Sequence, residues 1–406
     1  MKDLKLVVIG AGSTYTPELI EGLIKRKDLL KIGEIALMDI DNDKLSIVGG
    51  LAVRMIRAAG LYWNVTFHKD LNCIKGASYV MTQIRVGKLA ARILDEKIPL
   101  EYGMIGQETC GIGGFFKALR TIPVLFEIAD TIKELAPDAY MINFTNPSGI
   151  IAEALKYKDI KSIGLCNCPY AMEKSFKDAM GLPDAEIEYV GLNHLSWITA
   201  IRHGGKDYIQ EALESGIQSQ AMKNIPANGY SAEVLTTVGA IPSTYLEYYY
   251  FRQEKLEKLK SETLSRGEVC LKLEKELLKK YQDPELNIKP PELEQRGGAY
   301  YSEVAISLME AIHNDRKTRH IINIKNNGAL DFLDDDDIIE TAAIVGRDKI
   351  TPISIPDFKN EHIIAMMRTM KEYEKMAVKA ALSGEKRDAI RALMQNPLCG
   401  DFNAVK

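Results

Sequence analysis

The strongest constraint on this chain lies near its N-terminus, where an apolar run meets a glycine-rich turn. Leu4–Ile9 is largely apolar and rich in branched side chains, as in a parallel strand that is buried on both faces. The turn at residues 10–15 follows, and Pro17 favours the start of a helix with Thr16 as its N-cap. A strand, a glycine turn and a helix in this order predict the first unit of a nucleotide-binding α/β sheet.

The residues of this turn suit a bound dinucleotide. Gly10 and Gly12 permit a tight turn and the close approach of a pyrophosphate to the helix N-terminus, with Ser13 and Thr14 beside them. Asp39, at the end of the second predicted strand, can accept hydrogen bonds from ribose hydroxyls. Because a carboxylate there repels a 2′-phosphate, the sequence favours NAD over NADP.

Strand and helix patterns alternate along the first half of the chain. After the first strand, further strands are predicted near residues 34–39, 79–84, 139–143 and 160–165. This alternation predicts a Rossmann-like, doubly wound parallel sheet. The pattern changes after about residue 190, and we therefore predict an NAD-binding domain over residues 1–190 and a mixed α+β domain over residues 191–406.

Composition and charge narrow the classes of function. The chain has 52 basic and 56 acidic residues, and this balance argues against a nucleic-acid or membrane-surface partner. No run approaches the ~20 apolar residues that span a bilayer, and the N-terminus lacks the pattern of a signal peptide. The six cysteines are too sparse for a disulfide framework. We therefore expect a protein of the reducing cytoplasm whose partner is a small molecule.

Several later segments carry polar and glycine-rich motifs that a purely structural role does not explain. They lie at residues 105–109, 143–149, 164–169, 191–197 and 239–249. In this order and spacing they resemble glycoside hydrolase family 4, and the resemblance extends over essentially the whole chain. Members of that family use NAD and a divalent metal and are exceptions to the two-carboxylate rule of glycosidases. The implied fold is a Rossmann-like sheet followed by a substrate, metal and oligomerisation domain of lactate/malate-dehydrogenase-like type.

The resemblance implies a metal site. Cys166 and His194 match the family's metal-binding pair, for which manganese is the usual ion. A thiolate and an imidazole suit a borderline transition metal, and two protein ligands leave positions for substrate oxygens. Without the resemblance, Cys166 is typical of a buried apolar thiol and His194 of a hydrogen-bonded core histidine. Cys168 is predicted to lie on a strand with its side chain in the core.

The resemblance also implies the catalytic and substrate-binding residues. Tyr245 matches the family's catalytic base, although a tyrosine needs help from a metal or cation to act near neutral pH. Arg92 and Arg266 match arginines that hold the substrate in phospho-sugar members, as bidentate guanidinium recognition of phosphate requires. Asn146 matches a residue that hydrogen-bonds a sugar hydroxyl, and by itself is typical of an Asn-Pro turn.

Asn167 bears on the linkage that is cleaved. In the family, an aspartate at this position resembles members that act on 6-phospho-α-glucosides, where it can protonate the leaving group. Asparagine cannot act as an acid, so Asn167 favours 6-phospho-β-glucosides such as phosphorylated cellobiose. A chitobiose-type substrate stays open.

The implied reaction cleaves the sugar linkage through a temporary oxidation. NAD oxidises C3, Tyr245 removes the C2 proton, the aglycone leaves C1, water adds, and C3 is reduced again. Three alternatives stay open: a lactate/malate-type NAD-dependent dehydrogenase, a 6-phospho-α-glucosidase of the same family, and a nucleotide-sensing module without turnover. By analogy with the family, the chain is expected to form a homodimer or homotetramer.

Overall fold

A computed structural model describes residues 3–216, 229–297, 300–400 and 402–406. The strands within these ranges are β1 (Leu4–Ile9), β2 (Ile32–Met38), β3 (Asn64–His68), β4 (Tyr79–Thr82), β5 (Tyr140–Asn143), β6 (Lys161–Gly164), β7 (Glu186–Leu192), β8 (Leu195–His203), β9 (Lys206–Asp207), β10 (Ile241–Pro242), β11 (Thr318–Lys325), β12 (Ile338–Val345) and β13 (Ile350–Pro352).

The α-helices cover the faces of the sheets and link the strands. They are α1 (Thr16–Lys25), α2 (Asn42–Ala58), α3 (Lys88–Glu101), α4 (Ile112–Leu135), α5 (Ser148–Leu155), α6 (Cys168–Met180), α7 (Ile209–Ser215), α8 (Ala232–Val238), α9 (Glu247–Tyr250), α10 (Arg252–Ser261), α11 (Arg266–Tyr281), α12 (Tyr301–His313), α13 (Glu361–Ser383), α14 (Lys386–Gln395) and α15 (Phe402–Val405). None of the helices in these ranges is long and apolar enough to cross a membrane.

The main sheet has nine strands in the order β13-β12-β11-β6-β5-β4-β1-β2-β3. From β3 to β6 all neighbours are parallel, and their order is that of a doubly wound dinucleotide-binding sheet. The strands β11, β12 and β13 extend this sheet in antiparallel fashion from β6. The predicted doubly wound α/β fold is therefore confirmed.

The first strand shows why a largely apolar run was needed. Val7 and Ile9 pack into one apolar core, and Leu6 and Val8 pack into a second core on the opposite face of the sheet. All four side chains are buried. A strand that is covered by helices on both faces has no polar face to alternate with.

A second sheet lies in the order β10-β8-β7, with β9 paired to β8. Two of its strands, β7 and β8, form an antiparallel hairpin closed by the pair Leu192 and Leu195. The main sheet takes strands from both sides of residue 190, so the division of the chain at that residue stays a prediction.

Two local expectations were wrong. Thr16 is the first residue of α1 and not its N-cap, because its Oγ1 donates a hydrogen bond back to the carbonyl of Ala11 at 2.8 Å. Cys168 begins α6 and does not lie on a strand, although its side chain is buried as expected.

Candidate active site

The residues singled out in the first half of the chain gather at one edge of the main sheet. Gly10 follows β1, Asp39 follows β2, Asn146 follows β5 and Cys166 follows β6. Because these strands are parallel, their carboxyl ends lie side by side. Ligands of doubly wound sheets bind in the crevice at this edge.

The glycine turn leaves no room for side chains. Gly10 has a φ of +88°, and a Cβ there would lie 2.9 Å from the carbonyl oxygen of Gln83. A Cβ on Gly12 would lie 2.8 Å from Oδ2 of Asp39. Ser13 reinforces the turn, since its backbone N–H donates to the carbonyl of Gly10 at 3.0 Å. The turn therefore presents bare backbone at the start of α1, as a pyrophosphate requires.

Asp39 is held in place by the same turn. Its Oδ2 accepts a hydrogen bond from the backbone N–H of Gly12 at 2.8 Å, and its Oδ1 accepts one from Asp41 N–H at 2.9 Å. The carboxylate is thus oriented at the end of β2, beside the turn. A fixed acid in this position matches the expected ribose contact.

Cys166 and His194 meet across the two sheets. Cys166 follows β6 of the main sheet, whereas His194 lies in the hairpin turn between β7 and β8. The Sγ of Cys166 is 3.3 Å from Nε2 of His194, and both side chains are buried. The structure therefore brings the predicted metal pair together.

The donor pair fits one divalent ion. Zinc–sulfur and zinc–nitrogen bonds of about 2.3 and 2.0–2.1 Å, at angles between square-planar and tetrahedral, would separate the two donor atoms by about 3.1 to 3.6 Å. The separation of 3.3 Å between Sγ and Nε2 lies within that range. The described residues contain no group of three or more His, Cys, Asp and Glu side chains that could hold a metal. The pair thus leaves coordination positions to other molecules.

The protonation states of the pair follow from burial. Burial lowers the pKa of His194 to about 3, so the imidazole is neutral and has a lone pair for a metal. Burial, and to a smaller extent the Glu340 carboxylate, raise the pKa of the Cys166 thiol above its ordinary value. A metal ion would have to displace the thiol proton, as coordination does.

Tyr245 lies directly against His194. It belongs to a short 3₁₀ helix, Thr244–Leu246. Its ring is stacked on the imidazole, with centroids 3.8 Å apart and planes inclined by 15°. Burial, and then proximity to Cys166, raise the pKa of Tyr245 well above its usual range. A positive charge beside the ring is therefore needed for the phenolate to form.

The two asparagines lie in loops that follow β5 and β6. Asn146 accepts a hydrogen bond from Ser148 N–H at 3.3 Å through Oδ1, in the turn that leads into α5. Asn167 directly follows Cys166 and occupies the N-cap position of α6. The structure therefore brings Asn167 close to the metal pair through the chain itself.

The two predicted phosphate-binding arginines are engaged with protein groups. Arg92 is 8% exposed, and its guanidinium pairs with Glu96 at 2.7 Å and with Glu108 at 2.8 Å. Arg266, at the start of α11, donates to the carbonyls of Gln295 and Arg296 at 3.2 and 3.0 Å. Both guanidinium groups are therefore already hydrogen-bonded to other protein groups in this structure.

A cationic cluster around Glu108 escaped the sequence analysis. The Glu108 carboxylate pairs with Arg85, with Arg92 and with Lys117. Burial alone would raise the pKa of Glu108, but Arg85 and the other two cations hold it well below its usual range. Mainly because of burial, the pKa of Lys117 falls to about 7. The position of Arg85 three residues after β4, at the ligand-binding edge, was the clue to this cluster.

Arg296 also had no predicted role. Its guanidinium lies over the ring of Tyr15, 4.8 Å from the centroid, and contacts the hydroxyl of the buried Thr14. The hydroxyl of Tyr15 in turn donates to the carbonyl of Arg296 at 3.1 Å. The loop that carries Arg296 is therefore attached to the glycine turn.

The sheet order, the glycine turn and the loops at the carboxyl edge define a dinucleotide-binding enzyme fold. Malate dehydrogenase of Plasmodium falciparum shares this fold, with a TM-score of 0.56 over 93% of this chain and 99% of its own and 11% identity. Two family models identify the chain more closely. Family 4 glycosyl hydrolase matches residues 5–182, and the family 4 glycosyl hydrolase C-terminal domain matches residues 189–399. The chain belongs to glycosyl hydrolase family 4, which confirms the predicted family.

The sequence relatives extend over nearly the whole chain. The probable 6-phospho-β-glucosidase of Bacillus subtilis is 42% identical and covers 100% of this chain and 94% of its own. The 6-phospho-β-glucosidase of Escherichia coli is 41% identical over 98% and 92% of the two chains. The 6-phospho-α-glucosidase of Leptotrichia buccalis is 30% identical over 95% and 91%.

Among solved structures, the 6-phospho-β-glucosidase of Thermotoga maritima is similar throughout. Its structure with manganese, NAD⁺ and glucose-6-phosphate has a TM-score of 0.91 and 33% identity. The match covers 99% of this chain and 96% of that chain.

Proposed function

We propose that this chain hydrolyses 6-phospho-β-glucosides with the aid of NAD and a divalent metal such as Mn²⁺. The observation that carries the proposal is the 3.3 Å approach of Cys166 Sγ to His194 Nε2, with Tyr245 stacked on the imidazole. This arrangement lies on a fold whose glycine turn suits a dinucleotide. A lactate/malate-type dehydrogenase has no use for such a thiol–imidazole pair.

The residues fit the two cofactors. Cys166 and His194 would hold the metal, and Gly10, Gly12 and Asp39 would hold the dinucleotide, with Ser13 and Thr14 alongside. Bound NAD supplies a reversible oxidation at C3 of the sugar, and a bound divalent ion supplies Lewis-acid polarisation beside it.

Tyr245 accepts the proton that leaves C2 of the sugar. Oxidation at C3 makes this proton acidic, and loss of the aglycone from C1 completes the elimination. Water then adds at C1, the proton returns to C2, and reversal of the oxidation restores the C3 hydroxyl. Tyr245 is suited to this role because its ring lies against His194. A cation bound by His194 would place positive charge beside the phenol and so favour the phenolate, which the raised pKa of Tyr245 otherwise disfavours.

The phosphate would meet a cationic region of the site. Arg85, Arg92 and Lys117 lie around Glu108, and Arg92 also pairs with Glu96. Arg92 and Arg266 remain our candidates for the phosphate contact, with Asn146 toward a sugar hydroxyl. Charge-assisted hydrogen bonds from guanidinium groups are the usual means of holding a phosphate.

The β linkage is favoured over the α linkage by one residue and by similarity. Asn167 cannot protonate a leaving group, and the relatives named for 6-phospho-β-glucosides are 42% and 41% identical, against 30% for the α-glucosidase. We take the substrate to be a phosphorylated disaccharide or glucoside.

We also propose a cytoplasmic location and a homodimeric or homotetrameric state. All six cysteines are free thiols, and Cys166 must stay reduced to bind a metal. The proposed units are residues 1–190, which hold NAD, and residues 191–406, which contribute His194, Tyr245 and the subunit contacts. Neither unit is proposed to bind nucleic acid or a membrane.

One assay tests the proposal. The protein is incubated with a chromogenic 6-phospho-β-glucoside, NAD⁺, Mn²⁺ and a reductant, and both chromophore and NADH are followed. Chromophore release without accumulation of NADH is expected, and omission of NAD⁺ or Mn²⁺ should abolish it. The unphosphorylated glucoside and the 6-phospho-α-glucoside serve as matched controls. NADH that accumulates from a 2-hydroxy acid, without release of chromophore, would instead establish a dehydrogenase.

A further inference from the structure

The turn that carries His194 is strained. His194 has a φ of +64°, in the left-handed region that costs a non-glycine residue about 1–2 kcal/mol. The turn joins β7 and β8 directly, since Leu192 pairs with Leu195 across the hairpin. Strained residues persist only where their surroundings hold them in place. The groups around this turn must therefore stabilise it.

Glu340, a buried side chain on β12, contacts the turn between β7 and β8. Its Oε1 accepts a hydrogen bond from Nδ2 of Asn193, the residue before His194, at 2.9 Å. Its Oε2 accepts one from the hydroxyl of Tyr189 on β7 at 2.8 Å. The side chain is 1% exposed, and its hydrogen-bond partners in the described part of the chain are neutral groups. A third donor, Asn323 on β11, completes the hydrogen bonds to this side chain.

The same carboxylate is connected to the strand that leads to Cys166. Asn323 on β11 donates from Nδ2 to Glu340 Oε1 at 3.1 Å and lies opposite Glu340 in the strand register. Asn323 also pairs with Gly164, the last residue of β6 and two residues before Cys166. Glu340 is thus linked to His194 through Asn193 and to the Cys166 loop through Asn323.

Asn193 completes the connection. The Asn193 amide, which donates to Glu340, also lowers the pKa of the Cys166 thiol, against the larger effect of burial. One amide therefore links the buried carboxylate, the thiol and the turn that carries the imidazole. Groups behind a metal ligand commonly fix its orientation and change metal affinity by about 10–100-fold when they are removed.

We propose that Glu340 is a positioning residue that aligns Cys166 and His194 for the metal through Asn193 and Asn323. The inference rests on the proposed function, because it takes the Cys166–His194 pair as the metal site. Glu340 acts in this proposal through its hydrogen bonds with Asn193 and Asn323. Its contribution is the geometry of the two ligands, so the oxygen atoms of its side chain matter more than its charge.

The test measures Mn²⁺ affinity without substrate. Metal-free, NAD⁺-loaded protein is titrated with Mn²⁺, and free Mn²⁺ is followed by electron paramagnetic resonance. Glu340→Ala should weaken binding about 10–100-fold. Glu340→Gln keeps an oxygen that accepts from Asn193 and Asn323, and should bind Mn²⁺ within about threefold of the wild type. Hydrolysis by Glu340→Ala should recover most of its rate at saturating Mn²⁺.

The matched control is Glu188→Ala on the same hairpin. Glu188 accepts hydrogen bonds from Thr199 and Arg202, both at 2.8 Å and both away from the turn. This variant loses hairpin contacts but should bind Mn²⁺ like the wild type. If Glu340→Ala fails to fold, Asn193→Ala breaks the same link and should weaken binding at least about tenfold.

The outcomes separate the positioning role of Glu340 from the proposed metal site itself. Unchanged Mn²⁺ affinity in Glu340→Ala, or in Asn193→Ala where that replaces it, overturns the positioning role. Equal losses in Glu340→Gln and Glu340→Ala overturn it as well, because they would assign the effect to charge. A wild-type protein that does not bind Mn²⁺ overturns the proposed metal site and hence the function, which separates that failure from the failure of the present inference.

Discussion

The imidazole ring of His194 is stacked on the phenol ring of Tyr245, with centroids 3.8 Å apart. The residue proposed as a metal ligand and the residue proposed as a base are therefore in direct contact. An imidazole that donates its lone pair to a cation carries part of the positive charge. Positive charge in contact with the phenol ring favours the phenolate, which burial otherwise disfavours.

Tyr245→Phe should remove the base but keep the stack. We expect kcat to fall about 10²–10⁴-fold, the range for a lost general base, while Mn²⁺ affinity stays within about threefold. Substrate deuterated at C2 should lose its label to solvent with the wild type and keep it with the variant. Tyr248→Phe, a buried tyrosine three residues away, is the matched control and should behave like the wild type. Label loss at the wild-type rate in Tyr245→Phe would show that another group is the base.

Cys166→Ser should abolish tight metal binding and its dependence on pH. Because burial and then Glu340 raise the pKa of the thiol, Mn²⁺ must displace a proton from Cys166, and wild-type affinity should rise about tenfold per pH unit. His194 adds no proton to this exchange near neutral pH, since its pKa is lowered to about 3. The serine variant should bind weakly with little pH dependence between pH 6 and 8, as measured by titration with Mn²⁺. Retention of the wild-type slope would contradict ligation by Cys166.

The main sheet was predictable because its information is local. The run Leu4–Ile9, the glycines after it and the later apolar strands each signal their structure within a few residues. The return of β11, β12 and β13 to the edge of β6 was not predictable in this way. Pairing between Asn323 and Gly164 joins residues 159 positions apart, and no local pattern encodes it.

The site was predictable only in part, for the same reason. Cys166 and His194 were paired by their resemblance to a family, since neither the thiol nor the imidazole alone indicates a metal. Of the two ion pairs of Arg92, only the pair with Glu96 could be predicted from the sequence, because Glu96 lies one helical turn away on α3. The pair with Glu108 could not, because Glu108 lies in a separate loop. Glu340 gave no signal at all, since a lone glutamate in an apolar strand acquires its meaning from the side chains around it.

Asn167→Asp should shift the preference toward α-linked substrates. The residue follows Cys166 at the N-terminus of α6, so a carboxyl group there would lie beside the proposed metal pair. We expect the ratio of kcat/KM for 6-phospho-α-glucoside to that for 6-phospho-β-glucoside to rise at least about tenfold, because the variant gains an acid for the leaving group. Asn167→Ala removes the amide without adding an acid and should leave the ratio unchanged. Similar ratios for the two variants would exclude the acid as the cause.

Asp39→Asn should weaken the discrimination between NAD⁺ and NADP⁺. The carboxylate is fixed by the backbone of Gly12, and asparagine retains an oxygen for that bond while it loses the charge that repels a 2′-phosphate. The ratio of the two dissociation constants, measured by titration calorimetry, should move toward NADP⁺ by about tenfold or more. Asp41→Asn, at the N-cap of α2, is the control and should keep the wild-type ratio. An unchanged ratio in Asp39→Asn would place the ribose elsewhere.

Glu340 should make the stability of the metal-free protein depend on pH. Burial raises the pKa of Glu340 to about 7, against the opposing effect of hydrogen bonds from Asn193, Tyr189 and Asn323. The folded state therefore keeps its proton at pH values where the unfolded chain has released it. The stabilising contribution is complete below pH 4.5, the ordinary value, and is lost as the pH rises through 7.

Glu340→Gln isolates this contribution, because its side chain has nearly the same shape and does not titrate. In urea unfolding of metal-free protein, the stability of the wild type relative to Glu340→Gln should fall by up to about 3 kcal/mol between pH 5 and pH 8. Other titrating groups affect both proteins equally and cancel in the difference. A difference that stays constant over this range would mean that Glu340 is already ionised at pH 5. In that case the surrounding hydrogen-bond donors would outweigh the effect of burial on its pKa.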